Sequence, residues 1–304
     1  MLCRNPYIHK GGSAYGCGQC MPCRINRRRL WTHRIMLESL CHSDSSFWTL
    51  TYDEDNEPKT EDDLGNLVPK DLTDFMKRLR FNNPGVTIRY FNVGEYGTQT
   101  GRPHYHLGLF GQPSCSRGVT QCDRRRNCCS VCDSVREIWG KGLVHSGKLE
   151  SSSAAYIAGY VTKRLTQRGD SRLNGRHPEF ARMSLKPGIG AGFMPEVASV
   201  VLHPSFPILT DVPTSLRHGT HVKPLGRYLT RLLRKQTGRD EAAPLEVQEA
   251  VVASLRPLRE LALQVAPKGL YRETFSALLQ EANEGRYQQL LAKQRLFGKK
   301  RELL

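Results

Sequence analysis

The sequence predicts an α+β chain, and three observations predict it. Short runs rich in aromatic and β-branched residues, at 47–52, 86–94 and from His104 onward, read as strands. Segments with helical apolar spacing lie between them, at 24–40, 69–81, 131–139 and 151–166. After about residue 215 the character changes, and 227–235, 245–263, 271–284 and 286–297 read as successive helices with polar breaks.

The elements follow in order. Residues 1–23 form an irregular lead containing Gly and Cys. RINRRRLWTHRIMLESL then reads as a helix: Leu30, Ile35, Leu37 and Leu40 line much of one side with Trp31 beside them. Arg24, Arg27, Arg28, Arg29 and Arg34 supply a dense positive surface, suited to phosphate; the alternative is a solvated charged face. FWTLTY is a strand, 53–68 an acidic loop, and Pro69 opens a helix with Leu72, Phe75, Met76 and Leu79 at helical spacing. VTIRYFNVG and the His104 strand form a hairpin with a loop. A cysteine-bearing insertion fills 112–132, then come a helix and a short strand at 142–149. Ser-rich capping introduces the helix AAYIAGYVTKRL. ARMSLKPGIGAGF, with Arg182 and Lys186, brings backbone near a phosphate or is an ordinary turn. Three segments are expected: a Cys- and Arg-rich lead at 1–45, a main domain at 46–214 and a helical region at 215–304.

Of the 304 residues, forty-five are Lys or Arg and twenty-nine Asp or Glu, a net charge of +16. A surplus that large suggests a polyanionic partner; a basic protein without one is the alternative. No apolar run reaches transmembrane length and Met1-Leu2-Cys3-Arg4 opens no signal peptide, so membrane attachment is not expected and a cytosolic location is. Ten cysteines without an export signal argue against a disulfide framework, and their clustering favours metal. Cys17, Cys20 and Cys23 make two overlapping C-x-x-C units, and Cys3 supplies a fourth thiolate for structural zinc. A second group is Cys115, Cys122, Cys128, Cys129 and Cys132, of which Cys129 and Cys132 with Cys115 and Cys122 make a possible second site, the choice of the spare cysteine staying open. Reduced, partly buried thiols are the alternative for both.

Residues two apart on a strand share a face, so His104 and His106 project together. Glu95 on the neighbouring strand is the expected third ligand. Two imidazoles and a carboxylate suit Mg²⁺ or Mn²⁺ bound with a substrate oxygen. At about 100° per residue, Tyr156, Tyr160 and Lys163 share one helix face. A tyrosine attacking phosphorus would break a DNA strand and retain the bond energy as phosphotyrosine. Two tyrosines a turn apart can alternate in two transfers, with Lys163 one turn beyond Tyr160 favouring it as first nucleophile. The alternative is an aromatic pair packed in a core.

Arg102-Pro103-His104-Tyr105-His106 resembles the His-hydrophobic-His motif of the HUH endonuclease superfamily, with Tyr105 in place of a plain apolar residue. Tyr156-x-x-x-Tyr160-Val161-x-Lys163 resembles its two-tyrosine motif, and FWTLTYD the strand motif preceding both. CGQCMPCRINRRRLWTHR and RMSLKPGIG resemble replication initiation proteins of small single-stranded DNA phages, the gokushovirus branch of the Microviridae. The resemblance covers roughly residues 1–195 and gives little beyond 215. It implies a central antiparallel sheet with flanking helices, a Mg²⁺ or Mn²⁺ site, and rolling-circle initiation by nicking the replicative-form origin. A 5′-phosphotyrosine and a free 3′-hydroxyl would result. Single-stranded and origin DNA, host helicase and polymerase are the partners implied, in the cytoplasm of a bacterial host. The competing reading is a non-enzymatic, zinc-dependent nucleic-acid-binding protein.

Overall fold

The computed structural model describes residues 2–9, 13–97, 99–118, 128–160, 170–207 and 209–302, with backbone alone at 172 and 297–302. A short hairpin, β1 (Tyr7–Ile8) and β2 (Ala14–Tyr15), precedes the long helix α1 (Met21–Ser39). The body follows as β3 (Ser45–Tyr52), α2 (Pro69–Phe81), β4 (Arg89–Tyr96), β5 (Pro103–Phe110), α3 (Ser130–Trp139), β6 (Gly142–Lys148), α4 (Ser151–Tyr160) and β7 (Phe180–Met183). These strands form one sheet in the order β6-β3-β5-β4-β7, antiparallel at every pairing. The expected α+β architecture with a central antiparallel sheet is therefore present, with β5 in the middle.

Each face of the sheet has its own helices, because side chains alternate along a strand. Trp48, Leu50 and Tyr52 of β3 and Tyr105, Leu107 and Leu109 of β5 form one fully buried face. It packs on Leu72, Phe75, Met76 and Leu79 of α2 and on Val135, Ile138 and Trp139 of α3. The spacing of the α2 residues is the one its apolar pattern predicts. Tyr105 projects to this side, away from the histidines, where its hydroxyl meets Tyr52 Oη at 2.8 Å and accepts the Val68 N–H at 2.8 Å. Phe91, Val93 and Phe110 form the opposite face, under Ile35 of α1 and Ala154, Ile157 and Ala158 of α4. Gly108 lets α4 approach closely: a Cβ there would lie 3.1 Å from Ile157 Cδ1.

The remainder departs from expectation in several places. The Gly- and Pro-rich stretch after residue 180 contains β7, whose four residues complete the sheet along the free edge of β4. A strand so short has no readable alternation; the unpaired edge decides it. The KPGIG loop does not offer its backbone to solvent. Gly190 N–H donates to Glu38 Oε2 at 2.6 Å, and Gly188 N–H to Tyr228 Oη at 2.9 Å. Arg89 pairs with Glu38 and donates to the Pro187 carbonyl at 2.6 Å. The loop is thus clamped against α1. Beyond it, α5 (Met194–Val201), the hairpin β8 (Ser215–His218) and β9 (His221–Pro224), and α6 (Gly226–Gln236) follow. Leu37 of α1 is buried with Met194, Leu225, Leu229 and Leu233. The single helix expected over 245–263 is two, α7 (Leu245–Ser254) and α8 (Arg256–Val265), because Pro257 starts a new helix. The chain ends in α9 (Tyr271–Glu281) and α10 (Glu284–Glu302).

Glu38 is 2% exposed and faces Arg89, the Gly190 N–H and His42. Its removal would leave a largely buried guanidinium and a buried N–H without their acceptor. Glu38→Ala is expected to lower stability by about 3 kcal/mol in urea denaturation; a loss below about 1 kcal/mol would show that the clamp contributes little.

Candidate functional site

Antiparallel register builds the site. Thr49 lies opposite His106, Thr51 opposite His104, and His104 opposite Glu95. Residues directly opposed point to the same face, so these five polar side chains gather on the side that α4 covers. His106 Nδ1 lies 2.9 Å from Thr49 Oγ1, and His104 Nδ1 lies 3.1 Å from Thr51 Oγ1. A hydroxyl both donates and accepts, so each threonine holds its ring in either tautomer. The opposite nitrogens turn towards Glu95 and α4. His106 Nε2 lies 2.7 Å from Glu95 Oε1.

Helix α4 brings the tyrosines to this group. Tyr156 Oη donates to Glu95 Oε1 at 2.9 Å and lies 3.5 Å from His106 Nε2. The Tyr160 ring stacks near His106, centroids 6.1 Å apart, and meets the Tyr156 ring edge-on at 5.2 Å. Phe47 lies parallel to His106 on another side, at 5.8 Å. Burial and then the neighbouring His106 push His104 below its ordinary pKa. Burial, followed by the hydrogen bonds to Glu95 and Tyr156, pushes Tyr160 well above the usual phenol range. Tyr156 is the more open of the pair, 39% exposed, whereas Tyr160 is half-buried. Lys163 lies outside the described residues.

The donor set is the kind that holds a hard or borderline divalent cation: two imidazoles and a carboxylate. Unlike those of a closed metal cluster, the donor atoms of His104, His106 and Glu95 do not all lie within 4.8 Å of one another. A Cβ on Gly97 would come within 3.0 Å of His104 Nε2, so a residue without a side chain keeps that nitrogen open to a ligand.

The basic residues divide into several groups. Arg27 and Arg29 of α1 are exposed, and Arg24 and Arg28 half-buried. Arg28 Nε donates to the Ala155 carbonyl of α4 at 2.7 Å. Arg34, expected at the phosphate surface, is instead 8% exposed. It donates to the Ile189 carbonyl at 2.9 Å and lies over the rings of Trp31 and Tyr228. Helical rotation carries it past the positive face into the interior. Arg182 reaches Thr73 of α2, on the layer opposite the histidines. Lys186 is exposed near Arg89, at the end of β4 remote from Glu95. The structure does not bring these last two to the His–Tyr group.

Two cysteine clusters have the arrangement that takes a metal ion such as zinc. Cys3, Cys17, Cys20 and Cys23 keep their sulfurs within 4.8 Å of one another. The sulfurs of Cys20 and Cys3 are 3.8 Å apart, about the edge of a tetrahedron of sulfurs around zinc at about 2.3 Å. Burial raises the Cys17 thiol, but N–H groups of Cys20 and Gln19 outweigh it and bring it down to about 6. The second cluster differs from expectation. It is Cys115, Cys128, Cys129 and Cys132, with Cys115 Sγ 3.7 Å from Cys128 Sγ and 3.9 Å from Cys129 Sγ. Cys128 stands where Cys122 was expected; Cys122 lies outside the described residues. Adjacent Cys128 and Cys129 both belong to this cluster, Cys129 being the extended residue just before α3.

Residues 45–165 match the sequence model of the replication-associated protein ORF2 family. The matched segment runs from β3 to just past α4 and so contains the whole His–Glu–Tyr group. The chain is 31% identical to replication-associated protein VP4 of Bdellovibrio phage phiMH2K, over 54% of this chain and 53% of that protein. It is 33% identical to replication-associated protein ORF2 of Spiroplasma virus 4, over 59% and 57%. It is 29% identical to replication-associated protein ORF4 of Chlamydia phage 1, over 49% and 38%. The chain thus spans about half the length of the curated relatives it matches. These relatives bear out the kinship with Microviridae replication proteins that the motifs suggested. No solved structure matches the chain.

Sequence reasoning missed Thr49, Thr51 and Gly97. A signal existed for the threonines: the T-x-T of FWTLTY has the same two-residue period as H-x-H. None existed for Gly97, whose role depends on a neighbour across the hairpin. Gly97→Ala is expected to weaken Mn²⁺ binding, measured by calorimetry, about tenfold while leaving the melting temperature nearly unchanged; undiminished Mn²⁺ affinity would place the ion away from His104 Nε2.

Proposed function

We propose that the chain is a replication initiator that nicks the origin of phage replicative-form DNA through a tyrosine. The observation that carries this reading is the hydrogen bond from Tyr156 Oη to Glu95, beside His106, on a helix that presents a second tyrosine to the same group. His104, His106 and Glu95 would hold Mg²⁺ or Mn²⁺, which when bound supplies Lewis-acid stabilisation of charge on the scissile phosphate. The rest is the work of side chains. The Tyr156 hydroxyl is already aimed at the Glu95 carboxylate, which is placed to receive its proton as the oxygen attacks phosphorus. The P–O3′ bond breaks and the leaving oxygen takes a proton from water, giving a 5′-phosphotyrosine and a free 3′-hydroxyl for rolling-circle synthesis. Thr49 and Thr51 orient the imidazoles.

Tyr156 is the first nucleophile in this scheme, because it is the more exposed of two tyrosines that both bond Glu95. Tyr160 acts second, when the regenerated origin is cut and the displaced strand rejoined. This reverses the order that the position of Lys163 suggested; Lys163 keeps the part of offsetting negative charge near Tyr160. Exposed guanidiniums of α1 would bind single-stranded and origin DNA in a salt-dependent way. Host helicase and polymerase, in the cytoplasm of the bacterial host, would use the freed end.

The test is a denaturing gel after incubation with labelled single-stranded origin DNA and Mn²⁺. Wild type should give a covalent adduct. Tyr156→Phe and Tyr160→Phe should each retain some, and the double variant none. His104→Ala should abolish nicking and leave DNA binding largely intact. An adduct that persists in the double variant ends the mechanism. DNA binding with no adduct from wild type favours the zinc-dependent binding protein instead.

Both cysteine clusters would hold structural Zn²⁺, each tying the chain before a helix to that helix's start. Elemental analysis of reduced protein should find one zinc per cluster. Cys20→Ser and Cys128→Ser should each lose one and lower the melting temperature, whereas Cys122→Ser should lose none. A full zinc complement in Cys128→Ser would return Cys122 to the ligand set.

A further inference from the structure

The C-terminal region supplies part of a cavity that abuts the tyrosine helix. It has a volume of about 330 Å³, and its lining includes Ile25, Arg28, Arg29 and Thr32 of α1, Ser151 and Ala155 of α4, Lys223 of β9 and Gln294 of α10. Three of these side chains are cationic and none is a carboxylate. Such a lining selects an anion.

The wall from β9 is held in place. His33 is 1% exposed, and its Nδ1 lies 2.8 Å from the Pro224 carbonyl. A carbonyl only accepts, so Nδ1 carries the proton and Nε2 accepts from His218 Nε2, 2.9 Å away. Arg29 Nη2 donates to the Val222 carbonyl at 3.3 Å. These bonds flank Lys223 and dock the hairpin on α1. On the other side, Arg28 Nε bonds the carbonyl of Ala155, the residue before Tyr156. Ala155 and Tyr156 lie about 100° apart around α4, so on a helix about 10 Å across the cavity is within roughly 10 Å of the tyrosine ring.

We propose that this cavity is a phosphate subsite for single-stranded DNA, in which Lys223 joins Arg28 and Arg29 in holding a backbone phosphate a few nucleotides from the one attacked. The proposal rests on the nicking reading for its ligand, and it gives the region after residue 215 a part in DNA binding.

The test reads binding alone, by fluorescence anisotropy with a labelled thymidine 20-mer across a series of NaCl concentrations. Lys223→Ala is expected to weaken binding about fivefold and to reduce the slope of log affinity against log salt by about 0.7, the value for one phosphate contact on a single strand. Lys223→Arg should keep both near wild type. Lys77→Ala, an equal charge change on α2 in the opposite layer, should also leave both near wild type. Unchanged affinity and slope in Lys223→Ala would overturn the proposal, as would an equal loss in Lys77→Ala. Loss of orthophosphate binding without loss of oligonucleotide binding would assign the cavity to free phosphate and overturn it too. Should Lys223→Ala not fold, Arg29→Ala is read by the same criteria. Absence of a covalent adduct leaves this measurement untouched, so the two readings fail separately.

Discussion

The register between β3, β5 and β4 is the constraint on which the site depends. It sets Thr49 against His106, Thr51 against His104 and Glu95 against His104. A slip of one residue would send both imidazoles into the layer occupied by Leu107 and Leu109 and bring Tyr105 out. The buried face prevents that slip: Trp48, Leu50, Tyr52 and Tyr105 fit only one register against α2 and α3. The apolar layer on one side of the sheet thus holds the polar constellation on the other.

Helix α1 is the second organising element, and it acts mostly through polar contacts. Arg28 meets the backbone of α4, Glu38 the KPGIG loop, and His33 the β8–β9 hairpin. Its apolar residues join two clusters, Ile35 beneath the sheet and Leu37 beside α5 and α6. The helix that carries the arginines therefore also fixes the distance between the tyrosine helix and the C-terminal region. Arg34 shows how the two roles divide along one helix: it is a cation by composition and an interior residue by rotation.

The two cysteine clusters each lie at the start of a helix. Cys3 and the Cys17–Cys23 turn hold the lead to the start of α1. Cys115 and Cys128–Cys132 hold the chain after β5 to the start of α3. In each case four sulfurs approach closely enough to take one metal ion such as zinc.

Much of this protein was legible in the sequence. Two-residue and helical periodicities are local properties, so FWTLTY, the helix from Pro69 and the placement of His104 with His106 and of Tyr156 with Tyr160 could be read from the residues themselves. Pairing Glu95 with the histidines needed only a hairpin. Contacts between distant segments were another matter. That β7 completes the sheet, that Cys128 takes a place in the second cluster, that Gly97 leaves room at His104 and that Arg34 turns inward all depend on neighbours across the fold. Periodicity says which face a side chain occupies; only the tertiary structure decides what lies opposite it, because that is set by packing among elements that the sequence order does not bring together.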